Sequence, residues 1–228
     1  MNKKNKEIVG LIPVKGSSER VKLKNLRKFG DTTLFELKLL QLSKVRGFQK
    51  IIVSSESDMV LSIAKKKGFS IHERDPKYST SDIPMSEVYS HIASEIEGEN
   101  IAWINATNPL AEDHIYTNAI KLYNTMDAEY DCLLSAVNVQ ENIFYNGVPV
   151  NFSPSPWPRS QDLKGLCSLP FVISILKRAD MISWGSCVGK SPFFYYLNKL
   201  EAWDIDNQED FDFCEMIYKK KVNKNYND

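Results

Sequence analysis

The chain has 228 residues, with 29 basic and 29 acidic side chains and 43% hydrophobic residues. That length and apolar content fit one domain, residues 1–228, around a sizeable core. Zero net charge excludes a general nucleic-acid or membrane-surface binder, so any basic cluster is local and specific.

In chain order, residues 8–14 form a continuous apolar run closed by Lys15-Gly16-Ser17-Ser18, the pattern of a buried parallel strand. Around the turn that follows sit Lys15, Arg20, Lys22, Lys24 and Arg27. Residues 34–45 carry apolar side chains at helical spacing, and 50–54 read as a second strand. Residues 58–67 predict a helix with Gly68 as its stop. Residues 70–72 predict a third strand and 86–96 an amphipathic helix. Strands at 101–104 and 132–137 flank a helix over 114–124. Strands alternating with helices imply right-handed crossovers and a mostly parallel α/β sheet.

After Val139 the rhythm breaks. Residues 140–165, rich in Asn, Pro and Ser, predict an excursion from the sheet, with a hairpin in it. Strand patterns return at 171–176, 195–200 and 203–206, and residues 209–220 predict the last helix.

The polar start, MNKKNKE, lacks the apolar stretch of a secretory signal, and no apolar run reaches the roughly 18 residues that span a bilayer. The four cysteines, Cys132, Cys167, Cys187 and Cys214, are scattered without metal-binding spacing and read as reduced thiols in a cytoplasmic protein. His72, His91 and His114 belong to no common motif and are not expected to act as general bases.

Two stretches point to chemistry. In a parallel sheet, ligands bind beyond the carboxyl ends of the strands, which is where the first turn falls. Gly16 lets backbone approach a ligand, Ser17 and Ser18 add donors, and successive N–H groups can form an anion nest. Lys15, Arg20 and Lys24 supply counter-charge for a polyphosphate; read alone, the segment is equally a solvated basic loop. Near the other end, AWDIDNQEDFDF (202–213) places Asp204 and Asp206 on one face of a strand. Such a pair suits Mg²⁺ shared with substrate phosphates; read alone, it is equally a strand end entering a capped helix.

The stretch IPVKGSSERVKLKN (12–25) resembles the I-P-A-R-G-G-S-K-R-x-P-x-K-N pattern of the acylneuraminate cytidylyltransferase family, the CMP-sialic acid synthetases and their relatives. Ile12, Pro13, Gly16, Ser18, Arg20, Lys24 and Asn25 match, while Lys15 replaces an Arg and Ser17 a Gly. The resemblance implies a three-layer, Rossmann-like nucleotidyltransferase fold. It also implies that Lys15, Gly16, Ser17, Ser18, Lys24 and Asn25 surround the CTP phosphates and ribose. The 202–213 stretch is similar to the family's I-D-I-D-T-x-x-D-F segment, which implies Asp204 and Asp206 as ligands for Mg²⁺, or Mn²⁺ in its place. INATNPLAED (104–113) resembles L-Q-P-T-S-P-L-R, with Asn105 at the position of the Gln that binds the sugar acid and Ala111 at that of the Arg. HERDPKYSTSDIPMSEV (72–88) resembles the base-holding segment, with Arg74 and Ser86 facing cytosine. PWPRSQDL (156–163) resembles the R-x-Q-D region of a dimerisation arm, here residues 140–170, which carries Arg159 and Gln161 toward the partner's substrate. Cys187 and Val188 stand where sialic acid enzymes have two pocket aromatics.

The resemblance therefore implies a homodimeric enzyme. Its reaction is transfer of CMP from CTP to the anomeric hydroxyl of a nonulosonic sugar acid, with release of pyrophosphate. Lys15, Lys24, Asp204 and Asp206 are its catalytic groups. A KDO-type acceptor and a non-catalytic nucleotide-binding module are the alternatives.

Overall fold

A computed structural model describes residues 5–18, 21–163 and 165–225, with side chains described to residue 223. The elements in order are β1 (Ile8–Pro13), β2 (Lys28–Phe29), β3 (Thr32–Thr33), α1 (Leu34–Ser43), β4 (Lys50–Ser55), α2 (Asp58–Lys66), β5 (Ser70–Glu73), α3 (Met85–Glu95), β6 (Asn100–Trp103), α4 (Asp113–Thr125) and β7 (Cys132–Asn138). There follow β8 (Phe144–Tyr145), β9 (Val148–Pro149), β10 (Cys167–Ser168), β11 (Ser174–Lys177), α5 (Arg178–Trp184), β12 (Pro192–Tyr196) and α6 (Gln208–Asn225).

The main sheet runs β5-β4-β1-β6-β11-β7, with β12 on the far side of β7 and β10 pairing its end. β1, β4, β5 and β6 are mutually parallel, as are β7 and β12; β11 runs antiparallel to both its neighbours. Period-two alternation in β1 explains its continuous apolar run. Ile8 and Ile12 enter one core with α1, α2 and α4, while Val9 and Leu11 enter the other with α3 and α5. Three layers result. A third cluster joins Val21, Phe29 and Leu34 to Ile205, Phe211 and Cys214, and so packs the region after the first turn against the start of α6.

The chain moves outward from β1 to β4 and β5, then returns to β6 on the other side of β1. The carboxyl ends of β1 and β6 thus flank a topological switch point, where a crevice forms in open α/β sheets.

The structure departs from the sequence reading in four places. Residues 203–206 form no strand; the Ile205 N–H bonds the Thr107 carbonyl at 3.0 Å without any ladder extending from it. With no strand alongside, alternation along the segment cannot become a ladder. Strand β11 begins at Ser174, after Phe171, whose φ of 50° is incompatible with a strand. β12 lies upstream of the expected 195–200, at Pro192–Tyr196. Helix α5 gave no periodic signal, because its seven residues bury only Met181. In the 140–165 excursion, β8 and β9 pair around Asn146-Gly147, both at positive φ, the geometry that closes two-residue hairpins.

Candidate active site

The turn after β1 begins where Val14 N–H still bonds the Ser54 carbonyl of β4 at 2.9 Å. Gly16 follows, and here the glycine is obligatory: a Cβ would lie 2.5 Å from Ser57 Cβ. Its N–H donates to Glu56 Oε1 at 2.8 Å. Leu23 adopts φ 52°, and its carbonyl accepts from Leu26 and Arg27, so the chain doubles back and presents Lys24. Asn25 donates to the Lys15 carbonyl at 3.3 Å, while its buried Oδ1 has no protein partner. Arg20 lies outside the described residues.

Lys24 connects the two ends of the sequence. Its ammonium donates to the Ile205 carbonyl at 2.5 Å, between Asp204 and Asp206. Arg27 adds a bond to Gln208 at 2.9 Å and covers the Phe211 ring at 4.2 Å. Asp204 is half-buried. Burial pushes its carboxyl above the usual aspartate range and the Asp206 charge adds to this, against a Thr107 hydrogen bond and the Lys24 charge. Its buried Oδ1 has no hydrogen-bond partner. Asp206 is exposed. Asp210 accepts from the N–H groups of Asp206 and Asn207 at 3.0 and 3.1 Å and from Trp203 Nε1 at 3.1 Å, which makes it a helix-start residue.

A cleft opens at the switch point in two lobes that share Pro13, Lys15 and Ser81. The polar lobe, about 400 Å³, is lined by Ser17, Ser18, Lys24, Asn25 and Ser79. The other, about 320 Å³, is more apolar, with Tyr78, Tyr89, Trp103 and Phe171 among its walls and Arg74 and Asn105 as polar groups. Each lobe alone is at the small end for a ligand site; joined at Lys15 they suit an elongated ligand with one anionic and one planar end.

The structure therefore brings Lys15, Ser17, Ser18, Lys24, Asn25, Arg74 and Asn105 to one cleft, with the Asp204–Asp206 segment tied to Lys24. Other residues fall elsewhere. Ser86 packs against Gly185, which caps the end of α5, whereas Ser79 and Ser81, upstream of it, line the cleft. The Gly16 N–H is already engaged by Glu56, which leaves the anion-nest role to its neighbours. Cys187 is 1% exposed, within the core behind Tyr89, so it cannot line this chain's own cleft. Arg159 is 73% exposed, paired with Asp162 at 2.7 Å, and Gln161 beside it is exposed. His72 and His91 share Glu95, at 2.8 and 3.2 Å, and His91 stacks on Tyr78 with ring centroids 3.7 Å apart.

Fold and sequence define the class first: the protein is a nucleotidyltransferase. The chain belongs to the cytidylyltransferase family, whose profile matches residues 9–225. It is 25% identical to the post-translational flagellin modification protein B of Campylobacter coli, over 94% of this chain and 96% of that protein. It is 23% identical to the CMP-N,N'-diacetyllegionaminic acid synthase of Campylobacter jejuni, over 94% and 96%. Against N-acylneuraminate cytidylyltransferase A of Danio rerio the identity is 25% over 93% of this chain, which spans 51% of that longer protein. Among solved structures, a CMP:2-keto-3-deoxy-manno-octonic acid synthetase complexed with CTP superposes with a TM-score of 0.69 at 10% identity, covering 94% of this chain and 99% of that one. This last likeness speaks for the fold. No helix among the described residues is long and apolar enough to cross a membrane.

Proposed function

We propose that this chain transfers CMP from CTP to the anomeric hydroxyl of a nonulosonic, sialic-acid-like sugar acid and releases pyrophosphate. The observation that carries this reading is the Lys24–Ile205 bond: it joins residues 181 apart in sequence and sets the cationic turn against the carboxylate pair. The names of the relatives, which act on neuraminate and legionaminate, supply the acceptor class.

The reaction is an in-line displacement at the α-phosphorus. The sugar hydroxyl oxygen forms the new P–O bond, the bond from the α-phosphorus to the oxygen bridging to the β-phosphate breaks, and the hydroxyl proton passes to solvent water. Little covalent work falls to the protein, which must position the reactants and balance charge. Lys15, at the junction of the lobes, and Lys24 balance the phosphates and the leaving pyrophosphate. Arg74 and Ser81 face the base in the apolar lobe, and Asn105 is placed for the sugar acid.

The residues present fit a divalent cation. Half-buried Asp204, near the Asp206 charge, has a buried oxygen that lacks a hydrogen-bond partner, an arrangement a cation relieves. Among the described residues no group of three or more acidic, His or Cys side chains is gathered for a metal, so the carboxylates of Asp204 and Asp206 would have to hold the ion together with substrate oxygens. When bound to Asp204 and Asp206, Mg²⁺ supplies Lewis-acid polarisation of the phosphate.

The chain acts as a homodimer in this proposal. Phe144, Tyr145, Val148 and Trp157 of the arm are all more than half exposed, as an interface needs. Arg159 on the same arm then serves the partner's cleft. The test is pyrophosphate release with CTP and Mg²⁺ across a panel of nonulosonic and octulosonic acids. Turnover with a nonulosonic acid supports the proposal. Preference for an octulosonic acid moves the acceptor, and release with no acid in the panel rejects the reading.

A further inference from the structure

Glu56 follows β4 and sits in no segment whose sequence points to chemistry. Its carboxylate nevertheless accepts from three different walls of the cleft. Gly16 N–H reaches Oε1 at 2.8 Å, and Arg74 Nη2 and Ser79 Oγ each reach Oε2 at 2.7 Å. Those donors belong to the turn after β1, the residue after β5, and the 3-10 turn Pro76–Ser79. Arg74 also donates to the Val14 carbonyl at 3.1 Å, and its side chain is 2% exposed.

The convergence is built into the backbone. Gly16 comes so close to the residue after Glu56 that any side chain at position 16 collides with Ser57. Burial raises the Glu56 carboxyl, but the bonds from Arg74, Ser79 and Gly16 outweigh it and hold it below the usual glutamate range, so the group is ionised throughout neutral pH. A buried guanidinium without that partner would be left uncompensated.

Glu56 lines neither lobe; what it holds does. Ser79 faces the polar lobe, Arg74 the apolar one, and Gly16 lies between Lys15 and Ser17. We infer that Glu56 is a positioning residue for the nucleotide, a carboxylate clamp that fixes the phosphate-facing turn relative to the base-facing loop. This rests on the nucleotide reading above. It also gives Arg74 a restricted part: its charge is answered by Glu56, so it shapes the base lobe and does not add to the phosphate field.

The test uses Glu56→Gln, which keeps shape but sets an amide against donors, and Ser79→Ala, which removes one bond of the three. Three quantities are read: Kd for CTP by calorimetry, the split between KM for CTP and kcat, and hydrogen exchange of the Gly16 amide in ligand-free protein. For Glu56→Gln the expected result is a rise of about tenfold or more in both Kd and KM for CTP. Its kcat at saturating CTP changes less than about threefold, and the Gly16 amide exchanges about tenfold faster. Ser79→Ala shifts the same quantities less. Wild-type CTP affinity together with unchanged Gly16 exchange in Glu56→Gln overturns the inference. So does a lowered Tm with no change in the KM-to-kcat split. If the wild-type protein binds no CTP, the nucleotide reading fails, and with it the role in nucleotide positioning; Gly16 exchange still reports whether the carboxylate clamps the turn.

Discussion

The cleft and the 140–165 arm use polar and aromatic side chains in opposite ways. In the cleft, charged groups are tied by bonds that cross the sequence: Lys24 to Ile205, Arg74 to Glu56, Arg27 to Gln208. In the arm most bonds are local, apart from an exposed ion pair of Glu141 with Lys199 at 3.2 Å. Arg159 pairs with Asp162 three residues on, and Phe144, Phe152 and Trp157 touch one another with ring centroids 5.2 and 5.1 Å apart. The contrast teaches that the cleft is organised by bonds between distant segments of the chain, while the arm leaves its aromatic side chains largely exposed, as the proposed dimer requires.

The largest effect expected from breaking the cleft side is at the carboxylates. Asp206→Ala and Asp204→Asn are expected to lower turnover about 1,000-fold or more, because the proposed reading needs that charge to hold Mg²⁺. Asp204→Asn keeps or raises Tm, since it removes a half-buried carboxylate near a like charge. Steady-state pyrophosphate release and a thermal melt check both. Next comes Lys24→Ala, which removes the cation and the bond to Ile205; turnover falls about 100-fold, with KM for CTP raised. A smaller loss that is entirely in Tm would reduce Lys24 to a brace.

The arm is sharpened by complementation. Arg159→Ala alone and Asp206→Ala alone are each inactive in this account. Mixed and allowed to exchange, they regain about a quarter of wild-type activity, because half the dimers are mixed and each holds one intact site. No recovery would place Arg159 outside the partner's cleft. Trp157→Ser is expected to shift the protein toward monomer in size-exclusion light scattering.

The smallest effect concerns a buried cation behind the cleft. Lys38 on α1 is fully buried, donates to the Asn108 carbonyl at 2.9 Å and to the Tyr116 hydroxyl, and burial lowers its pKa to about 7. Between that value and the 10.5 of an exposed lysine, the unfolded chain holds the proton and the folded chain does not. Stability therefore rises with pH across this window, by at most about 1.4 kcal/mol per pH unit from this group. Lys38→Met removes that slope, which urea midpoints at pH 7 and 9.5 would show.

Much of the fold was legible because each β1-like run is apolar on both faces and each long helix has a buried stripe. The direction of β11 was not, since no residue pattern encodes whether a short apolar strand pairs parallel or antiparallel. Within the site, residue type and spacing marked the turn and the carboxylates as candidates, and the family resemblance, not spacing, gave them roles. Glu56 was not marked: a single Glu after a strand has no local signature, and its importance comes from three distant donors. Ser81, separated from Ser86 by Asp82–Met85, lines the cleft without any local signature, because only the fold decides which serine of this stretch faces it.

The most direct measurement is a crystal structure of the protein soaked with CTP and Mn²⁺, read by anomalous scattering. The account expects a manganese peak within coordination distance of Asp204 and Asp206, phosphates on Lys15 and Lys24, and the cytosine in the lobe bounded by Arg74 and Ser81. A nucleotide bound away from the β1–β6 crevice, or manganese without either aspartate, would contradict it.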